Sequence, residues 1–248
     1  MKIAVAGATG RAGRHVVDIL AARGHDVVPI ARSTGVDVIT GDGLAEALAG
    51  AEVVVDLSTG PTPDEEAATE FFTTAARNLQ ERGREAGVQR MVVASIVGID
   101  RFSSGYNAAK RAQERAYADG PIPVRILRAT QFHEFVEQLV DWSRQGEVAY
   151  VPKMRTQLVA ARAVAEALAD VATDPAAVPG PTLEIAGPHE ESLVDAARLL
   201  MEKRGDPVRI EGITWDPLYE EGAALPGPDA TLAGPTFEAW LAESGVAA

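Results

Sequence analysis

A short apolar run ending in three glycines spaced three apart, MKIAVAGATGRAG, constrains this chain more than any other feature. Ile3–Ala6 has the composition of a buried parallel strand, and the stretch beginning at His15 carries an apolar i, i+3, i+4 face through Val16, Ile19 and Leu20, which predicts a helix. The loop between them then has defined duties. Gly7 permits a tight exit from the strand, Gly10 lets backbone N–H groups approach a pyrophosphate, and Gly13 allows close helix–strand packing. A helix N-terminus behind such a loop presents partial positive charge to an anion. Strand, glycine loop and helix in that order predict a dinucleotide site, with Thr9, Arg11 and Ala12 lining it beside the glycines. A glycine-rich turn that binds nothing is the alternative.

Composition removes several other chemistries. The chain has no Cys, so disulfides, thiolate catalysis and Cys-based metal sites are excluded. Its four His (15, 25, 133 and 189) are scattered, and no metal is expected. A net charge of −13 argues against a nucleic-acid or anionic-membrane partner, because polyphosphate would be repelled. The glycines interrupt the opening apolar run before it reaches leader length, and no stretch is long enough to span a bilayer. A cytoplasmic protein with a small-molecule substrate is expected, and a homo-oligomer is left open.

Strand-like and helix-like segments alternate through the first half, the pattern of a parallel sheet covered on both faces. Strands are expected at Asp26–Ala31, Val36–Ile39, Glu52–Leu57, Arg90–Ser95 and Pro123–Arg128, with helices at Leu44–Leu48, Asp64–Gly87 and Asn107–Tyr117. Beyond them the rhythm changes. Helices are expected at Phe132–Arg144, Ala160–Ala172 and Ser192–Arg204, and strands at Val148–Val151 and Thr182–Ala186. A Pro-rich connector runs from Thr173 to Pro181, and a Gly/Pro-rich tail ends in an amphipathic segment at Phe237–Leu241. The expected class is α/β, a doubly wound parallel (Rossmann) sheet. Residues 1–131 would form its nucleotide-binding core, and residues 132–248 a substrate-binding portion and lid interleaved with it.

Three features line up behind the glycine loop. At the end of the second strand stands Arg32, followed by Ser33; an acid here would bond a ribose 2′-hydroxyl, whereas a guanidinium pairs bidentately with a 2′-phosphate. With Arg11 nearby in sequence, this favours NADP(H) over NAD(H), the alternative being two solvated charges. Asp42 could cap a helix or reach an adenine amino group. Leu57, Ser58 and Thr59 leave a central strand, suiting backbone contact with a ribose or simply ending the strand. Finally, Tyr106 and Lys110 are four apart on one predicted helix face, with Ser95 at the end of the strand before it. A nearby ammonium would stabilise the Tyr106 phenolate and lower its pKa, making it a proton donor, while Ser95 held a carbonyl oxygen and Lys110 bonded a nicotinamide ribose. A core tyrosine beside a solvated lysine is the alternative.

AGATGRAGRHVV, VVASIVGID, GYNAAKRAQE and ILRATQFHEFV together resemble the atypical and extended short-chain dehydrogenase/reductases, in particular their NmrA-like branch, over residues 1 to about 170. The resemblance implies a sheet with an added seventh strand and substrate elements in the C-terminal third. It also implies that Ala129, Thr130 and Phe132 run past the nicotinamide and that His133 lies near the substrate pocket, the alternative being a His that packs beside an aromatic; Phe132, His133, Phe135, Trp142 and the tail are expected to build that pocket. Ser95 and Tyr106 stand eleven apart, closer than the family usually has them, which leaves open whether Ser95 reaches a carbonyl. Asp-Leu-Ser-Thr also replaces the family's Asn-Ala-Gly. The expected activity is NADPH-dependent reduction of a small carbonyl or conjugated substrate. The alternatives are an NADP(H)-sensing regulator without turnover and a nucleotide-sugar epimerase.

Overall fold

The computed structural model describes residues 1–60, 62–174 and 180–243. The chain divides into two compact units, residues 1–128 with 165–183, and residues 129–164 with 184–248.

The first unit is wound on β1 (Lys2–Ala6), β2 (Asp26–Ile30), β3 (Val53–Asp56), β4 (Arg90–Ile96) and β5 (Val124–Ala129), ordered β5-β4-β3-β1-β2. β1 pairs in parallel with β2 on one side and β3 on the other, and β3 pairs in parallel with β4. Because parallel crossovers are right-handed, a chain that first steps one way from β1 and then the other must place its connecting helices on opposite faces. Those helices are α1 (Arg11–Ala22) and α3 (Glu65–Ala86), joined by α2 (Leu44–Leu48) and α4 (Gly105–Ala118). Val53, Val54 and Val55 are fully buried, as a strand covered on both faces requires. Phe72, Ala75, Ala76 and Leu79 form the inward stripe of α3; burying Phe72 or Leu79 contributes about 2–3 kcal/mol each.

In the second unit, α5 (His133–Ser143) and α7 (Leu193–Arg204) close over a small sheet. It is made of β6 (Arg144–Gln145), β7 (Val148–Pro152) and β11 (Arg209–Ile213), with β7 and β11 parallel. Val136, Leu139, Val151, Leu193, Leu200 and Phe237 are part of its core. A two-residue ribbon pairs β8 (Arg155–Thr156) with β10 (Glu191–Ser192). The short helices α8 (Pro217–Glu220) and α9 (Phe237–Glu243) complete the tail. α6 (Ala161–Thr173) and β9 (Thr182–Ala186) cross the division between units. Ile126 N–H donates to Pro181 O at the start of β9, and Ile185–Ala186 at its end pair in parallel with β12 (Thr231–Leu232). The ladder thus counts seven strands, in a Rossmann-like α/β fold.

Two expectations are corrected. The helix expected from His15 begins at Arg11, so the last glycine of the loop lies inside α1. The strand expected at Val36–Ile39 is a bonded loop. Asp37 Oδ1 accepts from the N–H groups of Ile39 and Thr40, and Asn78 Nδ2 donates to Val38 O and Ile39 O. Side chains occupy the backbone groups a neighbouring strand would have used. β6, β8, β10, β11, α8 and β12 have no counterpart among the expected elements, and residues 175–179 of the connector lie outside the described residues. Among the described residues no helix is long and apolar enough to cross a membrane.

Candidate functional site

The strand order reverses at β1, and the carboxyl ends of β1, β2, β3 and β4 are where an open α/β sheet receives its ligand. Gly7 leaves β1 with φ +75°, its N–H donating to Ile30 O at 3.0 Å, and Gly10 N–H closes the turn on Gly7 O at 2.9 Å. The glycines differ in what they do. A Cβ on Gly13 would stand 2.0 Å from Gly7 O, and one on Gly7 would stand 2.7 Å from the Leu57 carbonyl; both are demanded by the fold itself. At Gly10 the same atom meets only Gly7 O, at 3.1 Å. Gly10 is the N-cap of α1, offers no capping side chain, and the first turn carries no acid. The twelve-residue helix therefore turns an uncapped positive end toward an exposed loop of Thr9, Gly10 and Arg11.

Beyond β2 the chain enters a short 3-10 turn at Arg32–Thr34, fixed by Thr34 Oγ1, which donates to Ala31 O at 2.8 Å. Arg32 and Ser33 on this turn are exposed. Asp42 is exposed and accepts from Thr40 Oγ1 at 2.8 Å, while the N-cap of α2 is Gly43, so the capping role weighed for Asp42 is not realised. At the end of β3, Ser58 is buried beside half-buried Leu57 and exposed Thr59.

The Tyr106–Lys110 pair is organised differently from expectation. Lys110 is only 5% exposed, and its Nζ donates to Ala94 O at 2.8 Å and to Gln113 Oε1, with the Phe72 ring 4.7 Å away. Burial brings its pKa down to about 8, against the supporting fields of Asp56 and Glu114. Tyr106 packs edge-on against Phe72 at 5.6 Å, and burial pushes its phenol up to about 12. The expectation that Lys110 lowers the Tyr106 pKa is thus corrected: the ammonium is bound to β4 and Gln113, and desolvation governs the phenol.

Behind Lys110 lies a polar cluster that the sequence reading missed. Asp56, 1% exposed, accepts from Ser58 N–H at 2.8 Å, Tyr117 Oη at 2.8 Å and Gln113 Nε2 at 3.2 Å. An acid closing the run Val-Val-Val-Asp was the available signal. Its side-chain partners stand 57 and 61 residues further along the chain.

In the second unit, the residues expected along a substrate pocket part company. His133 is fully buried, with Nε2 3.0 Å from Leu158 O, an acceptor that fixes Nε2 as the donor, and its ring against Phe237 and Trp240. Burial lowers its pKa to about 4, so it is a neutral core residue. Phe135 packs on the same core, whereas Trp142 on α5 is 65% exposed. Phe132, half-buried, bridges to Val159, and buried Thr130 donates through Oγ1 to Gln157 O beside buried Ala129. A cleft of about 520 Å³ lined by Lys153, Arg155, Arg198 and Glu220 has its arginines paired with Glu190 and Asp195. Among the described residues no cluster could hold a metal ion.

A dinucleotide fits the residues of the first unit on their own evidence. Ser58 Oγ and Ser95 Oγ are both buried without a hydrogen-bond partner among the described residues, at the ends of neighbouring strands β3 and β4. Such orphans cost free energy unless a ligand satisfies them. With the uncapped α1 end and the bare Gly10, they supply hydroxyl, amide and dipole contacts where a phosphorylated ribose would use them. Residues 7–175 match the NAD(P)H-binding family. The chain belongs to that family.

The chain is also similar to several individual proteins. An L-arabinose 1-dehydrogenase (NAD(P)(+)) of Haloferax volcanii is 37% identical over 126 residues, 47% of this chain and 48% of that one, so the chain matches about half the length of this curated relative. Among solved structures, MoeE5 in complex with UDP-glucose and NAD is 19% identical with TM-score 0.75, covering 98% of this chain and 96% of that one. The dTDP-4-dehydrorhamnose reductase of Bacillus anthracis in complex with NADP is 14% identical with TM-score 0.71, covering 97% and 96%. A short-chain dehydrogenase/reductase superfamily protein of Agrobacterium tumefaciens with bound NAD is 18% identical with TM-score 0.65, covering 100% and 92%. At these identities the likeness is one of fold, and its members bind either nucleotide.

Proposed function

We propose that this NAD(P)H-binding chain is a cytoplasmic NADP(H)-dependent oxidoreductase acting on a small carbonyl or conjugated substrate. The observation that carries the reading is the buried Lys110 ammonium on Ala94 O, one residue before the orphaned Ser95 hydroxyl and four residues after a protonated Tyr106. A nicotinamide nucleotide, when bound, supplies the hydride that such a reduction needs.

Every other part falls to the chain's own groups. The amides of the Gly7–Gly13 loop and the α1 end would hold the diphosphate, and Arg32 with Arg11 the 2′-phosphate. Ser58, Thr59 and Lys110 would hold ribose hydroxyls. Ser95 would orient the substrate oxygen and Tyr106 would give it a proton. With its phenol at about 12, Tyr106 stays protonated across the physiological range and so suits the reductive direction. Lys110, at about 8, loses its charge as pH rises through that value, and NADPH affinity falls with it.

That Lys110 bonds Ala94 O and Gln113 and leaves the Tyr106 phenol governed by desolvation favours a second reading, an NADP(H)-responsive regulator whose tyrosine does no chemistry. Tyr106→Phe decides between the two. In an enzyme it lowers kcat by about 10²–10⁴-fold with NADPH affinity unchanged. In a regulator the response to NADPH is the same with either residue.

A further inference from the structure

We propose that Gln113 is a positioning residue for Lys110, an uncharged bridge whose amide oxygen holds the buried ammonium at the end of β4. The proposal rests on the reading of Lys110 as a ribose-holding group.

Three buried polar side chains form a directed series. Gln113, 1% exposed, accepts from Lys110 Nζ through Oε1 and donates through Nε2 to Asp56 Oδ2 at 3.2 Å. The amide is a dipole set between a cation and an anion, oxygen toward the one and NH₂ toward the other, so both ends dictate its orientation. Gln113 and Lys110 are one turn apart on α4, which lets the amide reach the ammonium without bending the helix.

The remaining bonds explain why a direct ion pair does not form. Asp56 is already engaged by Ser58 N–H and Tyr117 Oη as well as the amide. Glu114, the other carboxylate bearing on Lys110, is clamped by Arg128 at 2.9 and 2.7 Å. Ala94 O fixes Nζ from the strand side, and the Phe72 ring on α3 adds a cation–π contact. An ammonium has three donors, and two go to Ala94 O and Gln113 Oε1, leaving one for a ligand. Were Lys110 paired directly with Asp56, that arrangement would be lost, and with it the charge presented at the strand end.

The test uses the ligand-free chain. It has four Lys (2, 110, 153 and 203), so ¹³Cε-lysine NMR gives few resonances, and Lys110→Met assigns the one of interest. Wild-type Lys110 should titrate near 8. Gln113→Met, which removes the acceptor, should lower that midpoint by about half a unit or more, and Gln113→Glu, which supplies an anionic acceptor, should raise it. Gln113→Glu preserves the decision if Gln113→Met loses its native circular dichroism. The pH at which NADPH binding weakens should move in the same sense. An unmoved or raised Lys110 midpoint in Gln113→Met overturns the proposal, as does a midpoint not raised in Gln113→Glu where the first does not fold. Lysine shifts as described in a chain that binds no NADPH leave the positioning role standing and overturn the cofactor reading instead.

Discussion

On the proposed reading, residue 32 would set the nucleotide preference by charge. A ribose 2′-phosphate would bring charge to the end of β2, and Arg32 stands there exposed on a turn held by Thr34. Arg32→Asp should therefore weaken NADPH by about 1.5–3 kcal/mol, roughly a ten- to hundredfold rise in Kd, and leave NADH unchanged or improved. Calorimetric titration of both nucleotides checks this, and equal losses for the two would dismiss a 2′-phosphate contact. What sequence conveyed at this scale was residue type and spacing. Tyr106 and Lys110 are legible as neighbours on one helix face, but which group each side chain bonds is not. That depends on Ala94, Gln113 and Phe72, brought there by β4, α4 and α3.

The strand–loop–helix element separates two duties that three similar glycines conceal. Gly13→Ala would place a methyl 2.0 Å from Gly7 O, inside the α1–β1 contact, and neither side can yield without moving backbone. It should cost about 3 kcal/mol or more and lower the thermal midpoint by several degrees. Gly10→Ala meets only Gly7 O at 3.1 Å and should fold close to normally, yet lose dinucleotide affinity at least tenfold, because the methyl projects into the exposed mouth of the loop. Thermal unfolding and nucleotide titration on the same two variants give opposite rankings if this is right. Elements with local causes were legible: α2 at Leu44–Leu48 lies where its apolar spacing puts it. Elements with remote causes were not. Val36–Ile39 has a strand's residue types, but Asn78, some forty residues away, takes its carbonyls. Arg209–Ile213 carries weak alternation broken by Gly212, and only pairing with β7 makes it a strand.

At the scale of the molecule, each unit buries an ionisable group whose folded pKa is lowered, and stability should respond to pH at two separate places. In the second unit His133 titrates near 4 when folded against 6.5 when free, so below 6.5 the unfolded chain binds the extra proton. Its contribution is fully present above 6.5 and is lost as pH falls toward 4, an effect on the order of 3 kcal/mol. In the first unit Lys110 titrates near 8 when folded against 10.5 when free, so the cost of its burial is complete below 8 and is relieved as pH rises from 8 toward 10.5. Tyr106 works in the opposite sense: raised from 10.0 to about 12, it withdraws stability above 10. Stability should therefore climb between pH 8 and 10 and turn over beyond it. Urea unfolding across this range should show the climb in the wild type and a flattened curve in Lys110→Met. His133→Gln, which keeps a donor for Leu158 O but cannot titrate, should flatten only the acid limb. A Lys110→Met chain that still climbs from pH 8 to 10 as the wild type does would show that the ammonium is solvated in solution, and the buried series from Ala94 to Asp56 would then be wrong.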